Sequence, residues 1–199
     1  ARWTLATYTL TYNANGGSGS VSNTTCYYGY DCRLNNNGFS KTGYYFTKWK
    51  IGSSEYNAGS NVKNLTATNN QTLTAYAGWH GNSYTIRYDA NGGSGSMGNT
   101  TCTYGSDCTI ANNGFSRTGY TFEGWTINGN NYSAGQKVKT LATSGTVTAS
   151  ARWKLNNYTI VYNANGGGGS TGSTTCTYNT DCTLSGNGFS RTGYTFEGW

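Results

Sequence analysis

The chain repeats itself, and that limits what it can fold into more than any other feature. "YTLTYNANGGSGS" starts at Tyr8, "YTIRYDANGGSGS" at Tyr84 and "YTIVYNANGGGGS" at Tyr158, at offsets of 76 and 74 residues. "GYYFTKW", "GYTFEGW" and "GYTFEGW" end at Trp49, Trp125 and Trp199, while "ARW", "AGW" and "ARW" end at Trp3, Trp79 and Trp153. A period of this length means a row of like modules rather than one large core. The boundaries read as 1–7, the tail of a preceding repeat with its linker; 8–83 and 84–157, two modules with their linkers; and 158–199, a shortened third module. About four residues join one module to the next, too few to let neighbours swing freely. A globule of about 75 residues is roughly 30 Å across, which is the expected gain in length per repeat. Both ends fall inside a repeat, so the sequence is expected to be a segment of a longer array.

Inside a module the apolar residues alternate with period two. Tyr84, Ile86, Tyr88 and Ala90 lie on one side of Thr85, Arg87 and Asp89, and Tyr8, Leu10, Tyr12, Ala14 and Tyr158, Ile160, Tyr162, Ala164 repeat the pattern. That is a half-buried strand. "ANGGSGS" then ends it in a turn that glycine-rich backbone can follow. A closing strand alternates as Val147, Ala149, Ala151, Trp153 and as Leu73, Ala75, Ala77, Trp79. Between the two, Tyr120, Phe122 and Trp125 break strict alternation, which places a bulge at Glu123 and Gly124. Lys48 stands where Gly124 does in the first repeat. "SAGQ" at 133–136 has the form of a helix capping box, but the first repeat has "NAGS" at 57–60, so one helical turn at most is expected.

The expected fold class is therefore mainly β, α+β at most. Its core is expected to be aromatic, since the chain has 18 tyrosines and 6 tryptophans but few aliphatic residues. Trp49, Trp79, Tyr84, Tyr88, Tyr120, Phe122, Trp125 and Trp153 are the core rings that the alternation predicts.

The six cysteines come as Cys26 and Cys32, Cys102 and Cys108, Cys176 and Cys182, always six positions apart. A structural zinc site needs four ligands, and the only histidine, His80, lies in a linker. Redox enzymes favour C-x-x-C, and five intervening residues do not fit that spacing. A local disulfide remains. A hairpin turn between the cysteines would bring their Cα atoms to about 5.5 Å. Gly29, Gly105 and Asn179 share one slot in that turn, and all are residue types that accept positive φ. The repetition selects three pairings, Cys26–Cys32, Cys102–Cys108 and Cys176–Cys182. Closing such a loop stabilises a module by roughly 2 kcal/mol in the chain-entropy model. It also places the protein outside a reducing cytoplasm, either at the cell surface or secreted.

With "NANGG", "RTGYTFEGW" and a terminal "ARW" in this order, the chain resembles the Listeria–Bacteroides repeat, also called the internalin B-repeat. The resemblance covers essentially the whole chain. It implies a small β-grasp-like (ubiquitin-like) module, strung in tandem along bacterial surface or secreted proteins, often adhesins, without catalysis. The cysteine pairs and the lack of proline before "RTGY" depart from the family pattern.

Charge narrows the function classes. The net charge is +6, but the basic residues are dispersed, and a phosphate-binding face needs them gathered, so nucleic acid is not an expected partner. No apolar run is long enough to span a bilayer, so membrane insertion of this segment is not expected. The carboxylates Asp31, Asp107 and Asp181 recur beside the second cysteine, where capping a turn suits them better than proton transfer. No serine or cysteine is placed with a histidine as a nucleophile would require, and no cofactor motif is present. The leading expectation is a structural spacer, either a stalk or a module that assembles with its own kind into fibres. Neighbouring repeats of the same chain are its first partners. The alternative is a carbohydrate- or cell-wall-binding module, with Tyr30, Tyr45, Tyr56 and Tyr76 as unpatterned rings open to host or cell-wall glycans.

Overall fold

Residues of high strand propensity separated by Asn and Gly leave the chain little choice but short strands and tight reversals. A computed structural model describes all residues, Ala1–Trp199, and contains strands and turns without a helix. The strands of the first repeat are β1 (Thr7–Asn13), β2 (Ser18–Gly19), β3 (Thr24–Tyr27), β4 (Cys32–Arg33), β5 (Phe39–Ser40), β6 (Tyr44–Ile51), β7 (Ser54–Tyr56), β8 (Asn61–Val62) and β9 (Gln71–Gly81). The second repeat supplies β10 (Ser83–Asp89), β11 (Thr100–Thr103), β12 (Cys108–Thr109), β13 (Tyr120–Ile127), β14 (Asn130–Tyr132), β15 (Lys137–Val138) and β16 (Gly145–Leu155). The third adds β17 (Asn157–Ile160), β18 (Gly168–Gly169), β19 (Thr174–Thr177) and β20 (Phe189–Ser190). The chain divides into two compact units, residues 1–86 with 100–109 and 137–147, and residues 87–99 with 110–136 and 148–199. The side-chain contacts and hydrogen bonds described below each lie within one unit.

The first sheet has the order β3-β1-β9-β6-β7, and the second has β11-β10-β16-β13-β14, the same sequence of roles. β1 runs parallel to β9, with Tyr8 opposite Gln71 and Tyr12 opposite Ala75, and antiparallel to β3. Small sheets of two strands, β4 with β8 and β12 with β15, lie apart from the large ones.

Alternation along β1 and β10 sends one set of side chains inward. Tyr8, Leu10, Tyr84 and Ile86 are at most 1% exposed. Trp49 and Trp125, each fully buried, anchor the aromatic clusters. Around Trp49 the rings of Tyr12, Phe39 and Phe46 have centroids at 4.9, 5.9 and 4.9 Å, and around Trp125 those of Tyr88, Phe115 and Phe122 lie at 4.9, 6.0 and 4.9 Å. Each indole N–H is satisfied as well as buried. Trp49 Nε1 donates to the Asn35 carbonyl at 2.9 Å and Trp125 Nε1 to Ala111 at 3.0 Å. The same loop returns a bond, since the amides of Asn35 and Ala111 donate to the hydroxyls of Tyr12 and Tyr88.

Four of the eight expected core rings are not fully enclosed. Trp49, Tyr84, Tyr88 and Trp125 are buried, whereas Trp79, Tyr120, Phe122 and Trp153 are half-buried. The closing tryptophans sit at the rim because their N–H groups reach the glycine turn: Trp79 Nε1 donates to Ala14 O at 2.8 Å and Trp153 Nε1 to Ala90 O at 2.9 Å. Phe122 lies between Trp125 and Trp153. Tyr120 faces another repeat altogether, as described below.

The bulge lies in the predicted place. Pairing of β13 with β16 slips between Phe122 and Gly124, and pairing of β6 with β9 slips between Phe46 and Trp49. A glycine lies at each slip, on β13 in the second repeat and on β9 in the first. In the second repeat it is Gly124, at φ +139°, paired with Arg152. In the first it is Gly78, where a Cβ would lie 2.8 Å from Thr47 Oγ1 and 3.0 Å from Lys48 O.

Candidate functional site: the module junctions

Three disulfides are formed, Cys26–Cys32, Cys102–Cys108 and Cys176–Cys182, with Cα separations of 5.4, 5.5 and 5.5 Å. The route differs from the predicted hairpin. Cys102 is in register with Tyr84 in the large sheet, whereas Cys108 is in register with Val138 in a small one. The bond therefore joins two sheets, which no ladder hydrogen bonds connect. Between the cysteines the chain makes a tight turn, with the Ser106 amide donating to Thr103 O at 3.1 Å and Gly105 at φ +80°. Gly29 and Asn179 hold the same slot at φ +84° and +55°.

That turn carries a tyrosine outward at its tip, Tyr104 in the second repeat and Tyr178 in the third. Tyr104 packs edge-on against Tyr44 of the first repeat, centroids 5.4 Å apart, and Tyr178 meets Tyr120 of the second at 6.1 Å. The tip rings also cover Gly43 and Gly119, at φ +79° and +77°, where any Cβ would run into the ring. The linker asparagine ties the same elements together through its backbone. The Asn82 amide donates to Gly43 O at 2.8 Å while its carbonyl accepts from the Tyr104 amide at 2.9 Å. Asn156 repeats this with Gly119 O at 2.9 Å and the Tyr178 amide at 2.8 Å. Side chains add a bond from Asn82 Nδ2 to Thr143 O at 3.1 Å, and one from Thr121 Oγ1 to Asn156 Oδ1 at 2.5 Å. Two independent junctions thus share one construction, in which a disulfide-closed loop seats a ring on a bare glycine.

The "RTGY" motif serves the junction and the turn beside it. Arg117 lays its Cζ 4.0 Å above the Tyr120 ring, and its Nη1 donates to Asn91 O at 3.2 Å. Arg191 does the same over Tyr194 at 4.1 Å, with Asn165 O at 3.2 Å. In the first repeat Lys41 Nζ stands 4.7 Å from the Tyr44 ring. Sequence reasoning assigns no role to Tyr44, Tyr104 and Tyr178. Their spacing from "Gly-Tyr" and from the cysteines was the signal available for the junction.

Other expected site residues take quieter places. Asp107 lies 3.3 Å from Lys139 Nζ and 3.8 Å from Lys137 Nζ on the surface, an exposed pairing of small energetic weight. Tyr30, Tyr45 and Tyr76 are exposed, and Tyr45 leans on His80 at 5.2 Å. Tyr56 packs against the first core instead. No helix of the structure is long and apolar enough to cross a membrane.

Comparison with known proteins follows the internal repeat. The sequence profile of the Listeria-Bacteroides repeat domain matches residues 8–76, 84–149 and 158–199. A protein of Evansella cellulosilytica described as "Putative membrane protein" is 28% identical over 206 aligned residues. The alignment takes in 100% of this chain and 29% of that relative, so the chain spans less than a third of its length.

Proposed function

The chain belongs to the Listeria-Bacteroides repeat family, and from that premise we propose that it is a structural, non-catalytic spacer in the extracellular part of a bacterial surface protein. The observation that carries this is the duplicated junction. Tyr104 on Gly43 and Tyr178 on Gly119, each bridged by a linker asparagine, are what a chain needs to resist bending between modules. Disulfides in every repeat fit an oxidising location, and resemblance to a protein described as a membrane protein fits attachment at the cell surface.

The same reading extends to the fold family. A β-grasp module has its first and last strands parallel at the centre of a mixed sheet, and the order β3-β1-β9-β6-β7 with β1 parallel to β9 supports that assignment. Here β4, β5 and tight turns occupy the stretch between β3 and β6, where a β-grasp module carries its helix.

A stalk suits the chain better than a fibre grown by strand addition. The edge strands β3 and β7 have only four and three residues, short templates for a neighbouring chain. The test is ¹⁵N relaxation. One shared tumbling time for amides of the two complete repeats is expected, and separate, faster times for each would overturn the spacer reading.

A further inference from the structure

Beside the second junction a shallow groove of about 420 Å³ runs between the glycine turn 92–94 and the segment 116–120, with Tyr178 and Asn179 at one side. A groove of about 460 Å³ occupies the matching place in the third repeat, between 166–168 and 190–192. Each contains one cation fixed at two points. Arg117 and Arg191 are stacked on a tyrosine and bonded to a turn carbonyl, which leaves their remaining N–H donors without a protein acceptor. None of these cations is neutralised. The ion pairs of the structure use Lys48, Lys137, Lys139 and Arg152, and no carboxylate lies within 4.0 Å of Lys41, Arg117 or Arg191.

Clamping the turn does not account for the charge. Lys41 keeps the cation and the ring contact in the first repeat but makes no hydrogen bond to the turn corresponding to that of Arg117. What all three repeats share is a positive group held over a tyrosine beside the glycine turn.

We propose that these grooves bind an oxyanion-bearing glycan, a sugar polymer with carboxylate or phosphate groups. A fixed guanidinium takes either oxyanion through paired N–H donors at little entropic cost. The Tyr178 ring, 38% exposed, gives a sugar a face to stack on. Ser94 and Ser116, whose hydroxyls are 3.2 Å apart, present hydroxyls beside the same groove. An open groove accepts a polymer segment, and recurrence in the second and third repeats multiplies weak contacts into retention. This inference rests on the extracellular placement proposed above.

Binding of the 199-residue chain is measured by biolayer interferometry against polygalacturonate, a phosphomannan, neutral dextran and polyglutamate. Binding to one or both anionic glycans is expected, at least about tenfold tighter than to dextran or polyglutamate, and which of the two binds identifies the oxyanion. Arg117→Ala with Arg191→Ala should weaken it by about tenfold or more, while Lys50→Ala with Lys154→Ala, removing equal charge elsewhere, should change it less than about threefold. If the alanine pair melts lower, Arg117→Gln with Arg191→Gln, which keeps a donor for the turn carbonyl, carries the same expectation. Absence of binding to both glycans, equal binding to dextran or polyglutamate, or equal losses in the two kinds of variant overturns the proposal. A single tumbling time alongside such a result would leave the spacer reading standing.

Discussion

The ring of Tyr104 lies on the backbone of Gly43, one repeat away in sequence, and fills the space a side chain at that glycine would need. A contact of this kind works as a lock because it requires both a bare backbone and a rigidly presented ring. Gly43→Ala removes the first and strains a backbone at φ +79°, and Tyr104→Ala removes the second without strain. Both should speed hydrogen exchange at the amides of Asn82 and Tyr104 by about tenfold or more, with little change at the buried strand β1. Unchanged exchange in both variants would mean that the linker asparagine alone holds the junction.

The disulfides can be separated by what their loops touch. Replacing Cys102 and Cys108 by serine should lower module stability by roughly 2 kcal/mol and also free the Asn82 amide. Replacing Cys26 and Cys32 should cost about the same but leave that amide protected, because Tyr28 at the corresponding tip meets only the Ala6 carbonyl through its own amide. Thermal unfolding together with exchange mass spectrometry distinguishes the two effects.

Tyr8 is 1% exposed, yet its hydroxyl has no hydrogen-bond partner. Removing an unpaired buried hydroxyl relieves a desolvation cost, so Tyr8→Phe should be neutral or stabilising by up to about 1 kcal/mol. A clear fall in the thermal midpoint would contradict this.

Alkali should act on the second repeat through Tyr84. Burial pushes its phenol up from the ordinary tyrosine value, and the Leu141 backbone draws it partly back. A phenol whose pKa is raised by folding contributes stability that is complete below the unfolded value of about 10 and is lost as pH rises through the folded one. Urea midpoints should therefore fall above about pH 10, and less steeply in Tyr84→Phe. Identical pH profiles would rule out this origin.

Strand positions were legible because period two is a local property, and the bulge was legible because Phe122 and Trp125 sit at a spacing that alternation forbids. The junction was not. Tyr120 has an apolar neighbour pattern typical of a core residue, and only the fold brings Tyr178 to it. The strand partners of the cysteines were hidden for the same reason. A separation of six residues fixes the reach of the bond, but whether the second cysteine pairs with the first strand or with β15 depends on residues about thirty positions later. The half-buried positions of Trp79 and Trp153 follow from turn carbonyls at Ala14 and Ala90, which draw the closing indoles to the rim.

The parallel pairing of β1 with β9 has a mechanical consequence. The chain enters a repeat at the start of β1 and leaves it at the end of β9, and these strands run side by side in the same direction. Tension along the polypeptide therefore drags the two past each other, loading all their ladder bonds at once instead of peeling them open singly. A repeat built this way yields only when the whole row fails together, so its resistance to pulling is set by the barrier to unfolding rather than by the folding equilibrium.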